Sequence, residues 1–547
     1  MATPIFALAD EYIDASARLN PMWAGAVGVT GDFGTATDFG PDAEAERARL
    51  NRDTLARLRA LDPTGPDDDL AKRHMEERLA VLVDRHEAGE WRRSLQVPFG
   101  IFQSLVGYVD VAPRSGEDDW ALNAARMRAI PEMLGTWRQA MDAGIEAGQT
   151  ASARQAAEGA KQARRTAESR VFDKHLQAYG EGPLAAELRA AADAAYAGYA
   201  DAAAYLEQRY LPHADPADGV GEERYLLAAR YTLGSRLDPR DAYEWGWEEL
   251  HRIEEEMAAE AAKILPGASL DEVTEHLNAT RSLDTHEAFL AWLQEKHRGA
   301  LEALDGVHFD IHPRLMDLDV QLVHGSSSGA PYYTGPSEDL TRPGRTWWPV
   351  SDGERFGTWD ELTTVFHEGV PGHHLQVGQT RVAGDRLSRF TRLFGSVSGH
   401  SEGWALYAER LCDELGWFTE TGSRLGMLGG SAMRAARVVI DIGWHLGYPL
   451  PDAEAERHGR EWSFDTALDV LTTRGRVPAH RARPEIVRYQ GWPAQAICYK
   501  LGERAWVAAR DEAKAAAGAG FDLKAWHTAA LDLGPMGLDN LAAVLRK

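Results

Sequence analysis

The chain is dominated by runs in which apolar residues recur every three or four positions, the period of a helix that buries one face. Phe6, Leu8, Ala9, Tyr12, Ile13 and Leu19, interrupted by acids, predict a short amphipathic helix over residues 5–19 that Pro21 ends. The same period, in segments rich in Ala, Leu, Arg and Glu, predicts helices over 42–62, 67–90, 118–147, 150–178 and 181–209. Pro, Gly and Asp mark the breaks at 62–66, 112–116 and 212–221. Trp245, Trp247, Leu250, Ile253 and Met257 continue the pattern, and 270–304 holds one or two further helices. No repeat of fixed period is evident.

One region departs from this pattern. Between His324 and Gly357, turn formers (the Gly-Ser-Ser-Ser-Gly run, Pro331, Pro343, Gly344) alternate with Tyr332, Tyr333, Trp347 and Trp348, which predicts loops and a small β-ribbon. Thr358-Trp359-Asp360-Glu361 then reads as a capping box, with Leu362, Val365 and Phe366 as the buried stripe of the helix it starts. His367 and Glu368 fall on the third turn, about 100° apart, so one can ligate a metal while the other leans over a metal-bound water.

The segment Phe366 to Gln376, with His367, Glu368, Gly369, Val370, Pro371, Gly372, His373 and His374 between, is the stretch whose residues have an obvious chemical task. A zinc-hydrolase helix usually spaces its two His four apart, on one face, with a Glu between them. Here His373 and His374 lie six and seven positions after His367, close to two turns of an unbroken helix and too far for one ion. Pro371 removes a helical hydrogen bond and Gly372 tolerates the backbone that results, so a local bulge is expected to bring one of these imidazoles back.

A third donor is expected from the helix around Ser401-Glu402-Gly403-Trp404, with Glu402 the best candidate. Glu409, seven residues on, shares that face and suits an acceptor for a ligand imidazole, or an ion pair with Arg410 or Arg434. On the apolar helix Arg434–His445, the groups Arg437, Asp441 and His445 recur every four residues and need partners; Arg437 can pair with Asp441, and His445 can face a cleft. Pro484 suits a first helical turn, and Pro493, four residues after Tyr489, should kink that helix.

Composition narrows the function classes. The 547 residues, 44% hydrophobic and 9% aromatic with 17 Trp, make an ordered globular protein too large for one simple core, so two domains or one two-lobed body is expected. A net charge of −25 argues against nucleic acid and anionic membranes as partners. Cys412 and Cys498, both in helical surroundings, offer neither a disulfide framework nor a cysteine zinc site. No leader pattern opens the chain and no apolar run reaches the ~20 residues of a membrane span, so a cytoplasmic location is expected.

The run His-Glu-Gly-Val-Pro-Gly-His-His-Leu-Gln resembles the signature of a bacterial family labelled domain of unknown function 885. That family looks like a distant branch of the gluzincin metallopeptidases, relatives of angiotensin-converting enzyme, thimet oligopeptidase and the Taq-type carboxypeptidases. The resemblance implies a mostly α, large two-lobed helical fold with a central cleft and a small β-ribbon beside the metal helix. Residues 1–320 would form mainly the N-terminal lobe, and 321–547 would carry the metal site and catalytic residues. It implies Zn²⁺ as cofactor and His367, His373 and Glu402 as ligands, His373 rather than His374 because a Gly precedes the second ligand in the relatives. Glu368 would be the general base, and Tyr489, of an Arg488-Tyr489 pair, the donor to the oxyanion, with His480 a further donor. Tyr332 to Thr334, with Tyr333 between, and Gly344 to Trp348 would wall the cleft; His374, Arg488, His445, Glu409 and Tyr499 would touch substrate or support the ligands. The expected substrate is a short peptide or other small amide; a zinc amidase or esterase acting on an acylated metabolite, an inactive helical scaffold and a homodimer stay open.

Overall fold

The computed structural model describes residues 3–29, 34–324, 330–337 and 339–546. The Gly-Ser-rich part of the expected loop, 325–329, lies outside the described residues. The chain is mostly helical, with a few short strands. No described helix is long and apolar enough to cross a membrane.

Its contacts divide the chain into two units. One comprises Met1–Thr64, Met75–Val220 and Pro484–Trp492; the other comprises Gly65–His74, Gly221–Arg483 and Pro493–Lys547. The expected division at residue 320 is a different partition, drawn by where the candidate chemistry lies.

In the first unit, α1 (Glu117–Ala147), α2 (Ala153–Glu168) and α3 (Ala185–Tyr205) surround a core that contains Met127, Ile130, Met133, Trp137 and Tyr199. Pro131 lies inside α1, and Gly198 of α3 packs on it; a Cβ at Gly198 would sit 3.1 Å from Pro131 Cα. The helix expected over 150–178 stops at Glu168, because Arg170 adopts φ 50°, and a separate turn of helix, Asp173–Tyr179, follows.

The second unit holds α4 (Pro239–Ile264), α5 (His286–Leu304), β1 (Leu318–His324), β2 (Tyr332–Thr334) and β3 (Gly344–Val350). Where a small β-ribbon is expected, the strands form a three-stranded sheet in the order β1-β3-β2. β1 runs parallel to β3, Leu318 opposite Gly344, and β2 antiparallel to it, Tyr333 opposite Thr346. Trp348 and Val350 of β3 pack on Phe289 and Leu293 of α5, so the strand's alternation has a buried side.

There follow α6 (Thr358–Glu368), α7 (His373–Val382), α8 (Ser398–Glu414), α9 (Ser423–Leu446) and α10 (Cys498–Ala517). Glycines let these helices touch at backbone distance. A Cβ at Gly426 of α9 would overlap Trp359 O of α6, and one at Gly403 of α8 would overlap Gly502 of α10. The capping box expected at Thr358 does not form: Gly357 is the N-cap, and the Thr358 hydroxyl donates to Arg281 O at 3.1 Å. Thr358 is already the first helical residue, one position past the cap, and its N–H also donates to Arg281 O, at 2.8 Å.

Two proline expectations are also corrected. Pro484 lies within the helix Ala479–Gly491, not in its first turn. Pro493 does not kink that helix, which ends at Gly491; Ala494 adopts φ 61°, and its N–H donates to Asp441 Oδ2 at 2.9 Å. The tertiary acceptor holds the chain outside helical geometry.

Candidate metal centre

The expected bulge is instead a full break between two helices. α6 ends at Glu368 and α7 begins at His373. Pro371, on a cis bond after Val370, supplies no N–H, and the turn is closed by Gly372 N–H to Phe366 O at 3.0 Å and His374 N–H to Gly369 O at 3.0 Å. Trp404 Nε1–H fastens the turn to α8 by donating to Pro371 O at 2.7 Å. Gly372 is required here, since any Cβ would overlap the carbonyls of His367 and Phe366; one at Gly369 would overlap His297 Nδ1.

This break turns His373 back upon His367, their rings 4.8 Å apart and nearly perpendicular at 86°. α8 brings Glu402 between them. Its Oε2 is 3.4 Å from His367 Nε2 and 3.5 Å from His373 Nε2, and the three donor atoms lie within 4.8 Å of one another. Tetrahedral zinc with bonds near 2.1 Å needs donors about 3.4 Å apart. The two separations to Glu402 match that spacing and the two imidazole nitrogens lie within 4.8 Å, so the donor set fits a zinc ion.

His367 Nδ1 lies 2.7 Å from Glu409 Oε1, which can only accept, so Nδ1 carries a hydrogen and a metal would meet Nε2, whose own proton it would displace. Glu409 also accepts the Thr363 hydroxyl at 2.5 Å, and Arg434 Nη2 stands 3.5 Å away. Arg410 instead pairs with Glu256 and Asp413. On the other side, Ser401 Oγ is 3.5 Å from His373 Nδ1.

Burial disfavours a charged His367, yet Glu402 and Glu409 outweigh it and hold the imidazole up to about 9. Burial likewise opposes the Glu402 anion, but the two imidazoles outweigh it and keep that carboxyl well below the usual range. Glu368, by contrast, is raised by its burial. It makes no hydrogen bond to a described residue, so its oxygens are uncommitted beside the cluster.

His374 stands apart from the donor cluster. Its Nε2 lies 2.7 Å from Leu315 O, so that nitrogen carries the hydrogen, and Nδ1 accepts the Tyr333 hydroxyl at 3.0 Å. Both ring nitrogens are occupied, and burial lowers the pKa of the ring. Tyr333 thus ties β2 to α7, and Gly344 makes room for the pair, since a Cβ there would overlap the Tyr333 hydroxyl.

The other expected residues have the following surroundings. Tyr489 donates its hydroxyl to Glu485 Oε2 at 2.6 Å, Arg488 Nη2 meets the same oxygen at 2.8 Å, and all three belong to the first unit. His445 is buried with its Nε2 3.8 Å from Asp441 Oδ1, and it packs on Tyr225, whose hydroxyl donates to Asp441 Oδ2. Arg437 lies over the Tyr499 ring at 4.9 Å, and His480 is exposed. Sequence reasoning missed Thr363 and Ser401. Thr363 stands one helical turn before His367 on the same face, a spacing that could have marked it.

The fold and the cluster together define a mostly helical protein with a His–His–Glu donor set on three helix ends. Its sequence places it further: residues 21–545 match the family described as "Bacterial protein of unknown function (DUF885)", and the chain belongs to that family. No curated protein matches it. Its fold is similar to a "putative lipoprotein" from Colwellia psychrerythraea (TM-score 0.82, 20% identity, 98% of each chain covered). It is also similar to a "putative lipoprotein of unknown function" from Shewanella oneidensis (TM-score 0.76, 17% identity, 100% of each chain covered).

Proposed function

We propose that the protein is a zinc-dependent hydrolase, a gluzincin-type metallopeptidase that cuts short peptides with Glu368 as general base. One observation carries the reading: His367 Nε2, His373 Nε2 and Glu402 Oε2 converge at separations suited to a tetrahedral ion, with the uncommitted Glu368 next in sequence to His367. His367, His373 and Glu402 would hold Zn²⁺. When bound, zinc supplies Lewis acidity that lowers the pKa of a water and polarises an acyl carbonyl.

The chain's own groups do the rest. Glu368 takes a proton at its carboxylate and returns it to the leaving amine, a task its burial-raised basicity suits. Glu409, with Thr363, orients His367 and keeps the hydrogen on Nδ1. Tyr489 as donor to the developing oxyanion belongs to the proposal on the strength of the sequence resemblance alone. The net charge of −25 supports a reading without nucleic-acid or anionic-membrane partners, and the free, buried Cys412 and Cys498 suit the cytoplasm.

Metal analysis of protein purified without added zinc, together with turnover of a short-peptide panel by wild type and Glu368→Gln, tests the proposal. Stoichiometric zinc in both, with turnover falling about 10²–10⁴-fold in the variant, is the expected result. Turnover of small acylated metabolites and of no peptide would make it an amidase or esterase. Neither zinc nor turnover would leave a helical scaffold.

A further inference from the structure

Arg434, on α9, is mostly buried, with 13% of its side chain exposed. It makes an ion contact of 3.5 Å from Nη2 to Glu409, lies 5.8 Å from the face of Tyr499, and its charge also acts on His367 and Glu368. It makes no hydrogen bond to any of them, and its Nε is buried without an acceptor. A guanidinium carries five N–H donors in a rigid fork, and a buried one is ordinarily hydrogen-bonded. Glu409 offsets the charge of the arginine without accepting a hydrogen bond from it, its oxygens accepting from His367 and Thr363 at 2.7 and 2.5 Å. Arg437, nearly one turn further along α9, lies over the same Tyr499 ring at 4.9 Å and adds a second positive charge.

Resting on the hydrolase reading above, we infer that the substrate carries a carboxylate, which the fork of Arg434 receives beside the His367–His373–Glu402 cluster. Planar bidentate pairing with a carboxylate is what such a fork is shaped for. Arg434 reaches His367 through Glu409, across 3.5 and 2.7 Å. The anion site therefore lies within roughly 10 Å of an ion bound at ordinary zinc distances. At about 3.3–3.6 Å per extended residue, the carboxylate belongs to a residue within about three of the scissile bond. A free C-terminus and an acidic side chain present the same chemistry.

Calorimetric titration of succinate, glutarate and adipate, each against its half-amide, tests the inference on wild type, Arg434→Gln and Arg434→Lys. Zinc-loaded and apo protein are both used, with zinc content and thermal unfolding measured for each variant. At least one diacid is expected to bind wild type tenfold or more tighter than its half-amide, the difference vanishing in Arg434→Gln and returning in part in Arg434→Lys. Should Arg434→Gln not fold, the loss of the fork in Arg434→Lys carries the test. No preference for the diacid in wild type, or a preference that Arg434→Gln retains, overturns the inference. Peptides ending in carboxylate or carboxamide, and capped peptides containing Glu or Gln, then identify the source by their kcat/KM ratios. If no peptide is cut, the peptidase reading falls while the titrations still decide the role of Arg434.

Discussion

His367 Nδ1 and Glu409 Oε1 stand 2.7 Å apart on two different helices, and that hydrogen bond decides which imidazole nitrogen a metal meets. Replacing Glu409 by Gln or Ala should weaken zinc binding about 10–100-fold, read by competition against a chelator of known affinity. Thr363→Ala should weaken it less, because Thr363 only steadies Glu409. Equal zinc affinity in Glu409→Ala and wild type would refute this role.

His374 adjoins a proposed ligand in sequence and differs from it in every contact. His374→Ala should retain stoichiometric zinc, whereas His367→Ala, His373→Ala and Glu402→Gln should lose it, as elemental analysis would show. It should still cost about 1–3 kcal/mol of stability, because Leu315 O and the Tyr333 hydroxyl lose a buried partner.

Gly372 admits no side chain. Gly372→Ala forces a methyl group into the His367 and Phe366 carbonyls, so the turn must open and His373 must move. Loss of zinc together with a lowered unfolding midpoint is expected. Gly135→Ala, inside α1 with no atom near its Cβ position, is the control and should do neither.

Glu249 should shape acid stability. Burial opposes its charge, but Arg252, at 2.7 Å from both oxygens, and the buried Lys500, at 2.8 Å, hold its pKa down to about 2 from an ordinary 4.5. A depressed carboxyl contributes stability that is complete above pH 4.5 and lost as pH falls through 2. The shift corresponds to roughly 3 kcal/mol. Denaturant unfolding at pH 7 and at acid pH should therefore find Glu249→Gln less stable at neutrality, with the deficit shrinking on acidification. A deficit that does not change with pH would refute the assignment.

Tyr489 gives up its hydroxyl hydrogen to Glu485 at 2.6 Å, so service at an oxyanion requires that bond to be exchanged. Tyr489→Phe should lower kcat about 10²–10³-fold with little change in KM. Unchanged kcat would remove Tyr489 from the mechanism.

Local chemistry made much of this protein legible in its residues. The three-to-four-residue apolar period marked most helices, because burying one face is a property of neighbouring residues alone. The Pro371-Gly372 pair announced a local distortion after His367, as a bulge and not as the break between two helices that forms, and Glu402 and Glu409 were legible as one face of a later helix. What the residues could not settle depends on partners distant in sequence. The choice of His373 over His374 rests on Leu315 and Tyr333 occupying both nitrogens of His374. Gly357 takes the N-cap position while Arg281 O holds Thr358 inside the helix, and Asp441 fixes the chain after Pro493. β1, absent from the expected ribbon, pairs with β3 from 26 residues away, Leu318 against Gly344. Periodicity reports which face is buried, whereas hydrogen-bond partners and strand order are set only when separate segments meet.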